Sequence, residues 1–92
     1  MKAIWSRRAI RNLAVIRAYI AKDSERNAAL VATRILKAVE LLQSHPGIGR
    51  PGRVLGTREL VVPDTPYIIP YRVRGERLEV IEIGRASCRE RV

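Results

Sequence analysis

Phenylalanine is absent from this 92-residue chain, and Trp5, Tyr19, Tyr67 and Tyr71 are its only aromatic residues. The core must therefore come from Leu, Ile, Val and Ala. A row of aromatic platforms for stacking single-stranded bases cannot be assembled. Cys88 is the only cysteine, so no internal disulfide can form, which fits a reducing compartment. No apolar run approaches the ~18 residues of a membrane span. The N-terminus has no apolar signal-peptide core. These absences lead us to expect a cytoplasmic protein that makes no membrane contact. Internal repeats and linker-like stretches are also missing, and the length fits one domain.

Negative charge is scarce. Eighteen Lys and Arg stand against nine Asp and Glu, a net charge of +9. Lysine occurs only at Lys2, Lys22 and Lys37, so the charge is mostly guanidinium. Arginine pairs bidentately with carboxylate and phosphate, so an anionic partner is expected: nucleic acid, an acidic protein or an anionic surface. Solubility or codon usage is the blander account of the same excess. The cations concentrate in a loop and in the strands after it, at Arg50, Arg53, Arg58 and Arg72, with no acidic cluster in sequence to neutralise them.

Lys2–Trp5 reads as a short strand, and Ser6 is a good helix N-cap. From Arg7 to Ala21, Ala9, Leu13, Ile16 and Ile20 recur at helical spacing. Asp23 or Ser24 can cap a second helix, from about Glu25 to Gln43, with a stripe of Ala28, Val31, Ile35, Ala38 and Leu42. His45-Pro46-Gly47 stops it. The short connection predicts an antiparallel helical hairpin. Gly47 to Thr57 reads as loop.

The period then changes to two. Arg58–Val62 is a candidate strand, and Pro63–Pro66 is a turn cluster. From Tyr67 to Arg74, Tyr67, Ile69, Tyr71 and Val73 share one face, and Ile68, Pro70, Arg72 and Arg74 the other. Pro70 cannot donate to a ladder, which argues for an edge or a bulge. Gly75-Glu76 reads as a two-residue hairpin turn, followed by a returning strand from Arg77 to Ile81 or Ile83. The expected fold is α+β: an N-terminal strand, an antiparallel helical hairpin, then a three-stranded antiparallel meander. The helices cover one sheet face, and the other, bearing Arg72, stays accessible.

Residues Glu82 to Val92 resemble the translation of a common short-read sequencing adapter along their whole length. The expectation is that the authentic gene product diverges at or just after Ile81, a genuine basic tail being the lesser reading. Residues 1–83 then form a single domain, and 84–92 a non-native, irregular tail. That segment from Glu82 contributes +1 of the total +9, so the charge argument survives its removal.

Cleavage of RNA through its 2′-hydroxyl needs a base, cations for the pentacovalent phosphate, and an acid for the leaving oxygen. Arg50, Arg53, Arg58 and Arg72 supply cations, with solvated or partner-paired arginine as the plainer role of each. Base and acid are poorly supplied. His45 sits at a helix end, where capping carbonyls is the ordinary work. Tyr67 and Tyr71 alternate onto the apolar face, so packing is the better reading. Glu59 is best read as the salt-bridge partner of a nearby arginine. No metal-ligand spacing and no Walker-type phosphate loop is present, and no cofactor is expected.

The residues together resemble the RelE/ParE family of toxins from bacterial type II toxin–antitoxin modules. Trp5-Ser6 before a basic helix, Tyr19-Ile20-Ala21, "PGIGRPGR" at Pro46–Arg53, "GTRELVV" at Gly56–Val62, Thr65-Pro66-Tyr67 and Tyr71-Arg72-Val73 carry the resemblance, in order. It covers residues 1 to about 81. It implies a growth-inhibiting toxin, of the kind that stabilises plasmids, neutralised by a cognate acidic antitoxin in a hetero-oligomer. It also implies one of two targets. The weak proton-transfer set favours a ParE-like protein that binds DNA gyrase without being an enzyme. A RelE-like endoribonuclease acting on mRNA at the ribosome is the alternative. Arg50, Arg53, Arg58 and Arg72 are the residues expected to meet target or phosphate.

Overall fold

The structure is a computed structural model, and it describes residues 1–86. Strand β1 (Lys2–Trp5) leads into helices α1 (Arg7–Ala21) and α2 (Glu25–Ser44). Strands β2 (Arg50–Pro51), β3 (Arg58–Val61), β4 (Tyr67–Arg74), β5 (Arg77–Val80) and β6 (Gly84–Arg85) follow. The fold is α+β, with both helices on one face of a mixed sheet.

Each helix starts where a serine can cap it. Ser6 Oγ accepts from the Ala9 N–H at 2.9 Å and donates to the Ile81 carbonyl at 2.6 Å. Ser24, rather than Asp23, caps α2 by accepting from the Asn27 N–H at 3.1 Å. The helices pack as the expected antiparallel pair. Ala28, Ile35, Ala38, Val39 and Leu42 of α2 are buried, and of the α1 stripe only Ala9 is fully so. Leu13, Ile16 and Ile20 pack against the core from its margin. The core sits between α2 and the sheet and includes Ile69, Tyr71, Leu78 and Val80. Among the described residues, no helix is long and apolar enough to cross a membrane.

The sheet runs β1-β5-β4-β3-β2, and β6 also pairs with β4. The three-stranded meander is present as β3-β4-β5, all antiparallel. Strand β1 adds to it parallel to β5, with Ala3 opposite Leu78 and Trp5 opposite Val80. The segment read as loop contains a further short strand, because Arg50 and Pro51 pair with Glu59 and Arg58. Two residues are too few to show a period, so alternation could not reveal them. Gly75-Glu76 turns between paired Arg74 and Arg77, with Gly75 at φ 58°, as the hairpin reading requires.

Pro70 lies in the central strand β4, not at an edge, but a bulge lies opposite it. Strand β5 pairs with β4 through Tyr71–Val80, and β6 resumes at Ile68–Gly84 with the register shifted by one residue. The Pro70 carbonyl accepts from the Ile81 N–H at 2.9 Å, and the ladder breaks where proline has no N–H to give.

The irregular extension expected beyond Ile83 does not hold for residues 84–86. Ile83 is buried, and its N–H donates to Asn12 Oδ1 at 3.1 Å. Gly84–Arg85 pair with Tyr67–Ile68, and the Ala86 N–H donates to the Pro66 carbonyl at 2.7 Å. Main-chain pairing needs no particular side chain, so any short extended segment here can complete the open flank of β4. The rest of the expected tail, residues 87–92, lies outside the described residues.

Candidate functional site: a cationic sheet face and its hairpin

Strand register sorts the side chains into two faces. On the face away from the helices, Lys2 lies opposite Arg77, which lies opposite Arg74; Ile4 and Arg72 flank Glu79; and Arg50 and Pro70 flank Glu59. Among the described residues, five cations (Lys2, Arg50, Arg72, Arg74 and Arg77) therefore share this surface with two carboxylates.

The sequence shows no acidic cluster beside these arginines, but the strand pairing brings single carboxylates to two of them. Arg72 Nε donates to Glu79 Oε1 at 2.8 Å, and Arg74 Nε lies 3.8 Å from the same oxygen. The hydrogen bond from Arg72, aided by the charges of Arg74 and Arg77, holds the Glu79 carboxyl below its usual range. Arg50 Nε lies 4.0 Å from Oε1 of Glu59, which is only 4% exposed. The pairing read for Glu59 is thus present. Pairing orients Arg50 and Arg72, while the surplus of positive charge on the face remains.

Arg58 does not belong to this surface. It sits in register with Tyr71, on the helix side of the sheet. Its Nη1 donates to the Gly49 carbonyl at 2.7 Å and lies 3.4 Å from that of Gly47. Tyr71, fully buried, completes the same clamp. Its hydroxyl accepts from the Gly49 N–H at 2.9 Å and donates to the Pro46 carbonyl at 2.7 Å. A Cβ on Gly49 would lie 2.5–2.9 Å from the tyrosine ring and hydroxyl, so only glycine fits there. Arg53 stands on the exposed hairpin arm after β2. The four predicted residues are therefore not one cluster: Arg50 and Arg72 share the open face, Arg53 is on the hairpin, and Arg58 secures the hairpin's base.

Lys2, Arg74 and Arg77 were missed by reasoning from sequence. Alternation in β4 and β5 put Arg74 and Arg77 within reach, but β1 could not be placed beside β5 from sequence. Among possible proton-transfer groups, Tyr67 and Tyr71 are buried in the core, and His45 is the exposed C-cap of α2. Among the described residues, no three His, Cys, Asp or Glu gather as a metal site.

A second surface feature is apolar. A groove of about 330 Å³ runs between α1 and the start of β4, lined by Val15, Ile16, Tyr19, Tyr67 and Ile83. Val15 and Tyr19 are more than half exposed. Arg11 and Arg85 border it, and the Arg85 guanidinium lies 5.7 Å from the centre of the Tyr67 ring.

The chain matches the family described as the ParE toxin of the type II toxin–antitoxin system parDE, over residues 3–88. It is similar to Y4kP of Sinorhizobium fredii, a protein with a toxin designation, at 49% identity across 89% of this chain and 84% of that one. It is 31% identical to Toxin RelE2 of Caulobacter vibrioides, across 94% and 96% of the two chains. Among solved structures it resembles a chain of the chromosomal ParDE system from P. aeruginosa, with TM-score 0.82 and 31% identity over 92% of this chain and 95% of that one. This chain belongs to the ParE toxin family of type II toxin–antitoxin systems.

Proposed function

We propose that this toxin inhibits growth by binding DNA gyrase, without a hydrolytic step of its own, and that a cognate acidic antitoxin neutralises it. The observation that carries the reading is the open sheet face: among the described residues, five cations against two carboxylates, with Tyr67 and Tyr71 buried on the other side and His45 at the far end of α2. Such a face can hold an anionic macromolecule but offers a poor pair for moving protons. The antitoxin reading is supported by the ParDE neighbour and by the groove beside α1. An amphipathic acidic helix would set its apolar stripe on Val15, Tyr19 and Tyr67 and its carboxylates near Arg11.

The similarity to Toxin RelE2 keeps a second reading in view, an endoribonuclease acting on mRNA at the ribosome. Induction of the toxin in cells separates the two. The gyrase reading expects filamentous cells with damaged DNA and intact transcripts, and rescue by co-expression of a cognate acidic antitoxin. Cleaved transcripts with undamaged DNA would favour the endoribonuclease. Normal growth without any antitoxin would remove both.

A further inference from the structure

The hairpin joining β2 to β3 ends in an unusual apex. The Thr57 N–H donates to the Val54 carbonyl at 3.0 Å, and Gly56 has φ 86°, as the third residue of a type II turn requires. Leu55 thus takes the turn's second position, where its side chain points away from both arms. It is 99% exposed, and Val54 is 68% exposed. A single exposed leucine needs no explanation. Two adjacent aliphatic residues at the tip of a fixed turn are a different matter.

The turn is braced throughout. Thr57 Oγ1 donates to the Val54 carbonyl at 2.6 Å, and the Gly52 N–H donates to the Thr57 carbonyl at 2.8 Å. The space a Cβ on Gly52 would need is taken by Thr57 Oγ1. Below the apex, the Tyr71 and Arg58 contacts hold Gly49. Residues 45–58 contain no Asp or Glu, while Arg50, Arg53 and Arg58 flank the tip in sequence on both arms. Arg58 is held at the hairpin's base by the Gly49 carbonyl and Arg50 lies beside Glu59, so the positive charge sits on the arms below the tip. An apolar point on a cationic arm is complementary to an apolar pocket with carboxylates beside it.

We propose that Val54–Leu55 is an anchor that seats in a hydrophobic pocket with carboxylates beside it on the protein this toxin inhibits. The inference rests on the target-binding reading above and gives it a contact point. The anchor is separate from the groove beside α1. That groove meets β4 at Tyr67, whereas the hairpin enters β3 at Arg58, opposite Tyr71. Fixing the turn in advance lowers the ordering cost of docking.

The test compares wild type with Leu55→Asn, which keeps shape and charge, and with Val54→Asp/Leu55→Asp. Growth inhibition is read on induction without antitoxin, together with thermal stability and co-purification with the antitoxin. Both variants should melt with wild type and still bind the antitoxin, and inhibition should fall by about tenfold or more, as losing a buried leucine anchor implies. Undiminished inhibition in the double variant overturns the proposal. Inhibition kept by Leu55→Asn but lost with aspartate also overturns it, since the tip would then act through charge, as on a nucleic-acid backbone. Loss of antitoxin binding would assign the tip to the antitoxin instead. Wild type that leaves growth untouched sinks the target-binding reading itself, and the anchor with it.

Discussion

The Tyr71 hydroxyl lies at the end of a ring buried among aliphatic side chains, and it satisfies two main-chain groups that water cannot reach easily. Tyr71→Phe keeps the packing but strands the Gly49 N–H and the Pro46 carbonyl. It should cost about 1–3 kcal/mol in urea unfolding, the ordinary penalty for buried groups left unsatisfied. Gly49→Ala should cost a similar amount, about 1–3 kcal/mol, by forcing a methyl against the ring. Glu79 makes a different prediction. Its carboxyl is held below the usual 4.5 by Arg72. A group depressed on folding contributes stability that is present above its unfolded pKa and lost as pH falls through the folded value. That contribution should disappear on acidification below about 4.5, and Arg72→Ala should move the Glu79 titration, followed by carboxyl NMR, back toward the ordinary range. An unchanged Glu79 titration in Arg72→Ala would mean that the pair is not formed in solution.

Elements of this fold were legible where they are long and periodic. Both helices follow from apolar spacing bounded by serine caps, and the β3-β4-β5 meander follows from alternation and from Gly75-Glu76. Other elements depend on partners remote in sequence. The pairing of β1 with β5 joins Lys2 to Arg77, and no local signal announces it. The two residues of β2 and the two of β6 are strands only because β3 and β4 are beside them. Pro70 did announce a defect, but its place in a central strand became clear only with the bulge across from it. The caps give an element-scale test. Ser24→Ala should cost about 1 kcal/mol, the usual loss of a helix N-cap. Ser6→Ala should cost more, because the Ile81 carbonyl loses its donor too, adding about 1 kcal/mol. Equal midpoints in urea for the two variants would show that the Ser6–Ile81 bond contributes nothing.

At the scale of the whole molecule, the excess of cation in the sequence becomes a face with a sign. How much of that face could be read beforehand divides by residue. Arg50 and Arg72 were identified and lie on it. Arg58, expected to meet the target with them, turns toward the helices, because its strand position is one step out of phase with Glu59. The apolar tip at Val54–Leu55 lay inside a segment read only as loop, where exposure cannot be judged from residue type. The two surfaces, cationic and apolar, predict different responses to salt. Exposed charge pairs are screened within about 3 Å at 1 M salt, whereas apolar burial is not weakened. The antitoxin complex should therefore loosen but persist at about 1 M salt, measured by calorimetry. Complete dissociation would remove the groove beside α1 from the account.

The most direct measurement is supercoiling of relaxed plasmid by purified gyrase, titrated with wild-type toxin and with Arg74→Glu/Arg77→Glu. Neither arginine contacts the core, so the variant should fold. The account predicts that wild type blocks supercoiling and that the variant requires about tenfold more protein or greater for the same effect, as a like-charge contact implies. Gyrase that works unhindered at every concentration of wild-type toxin, or two proteins that inhibit it equally, would contradict it.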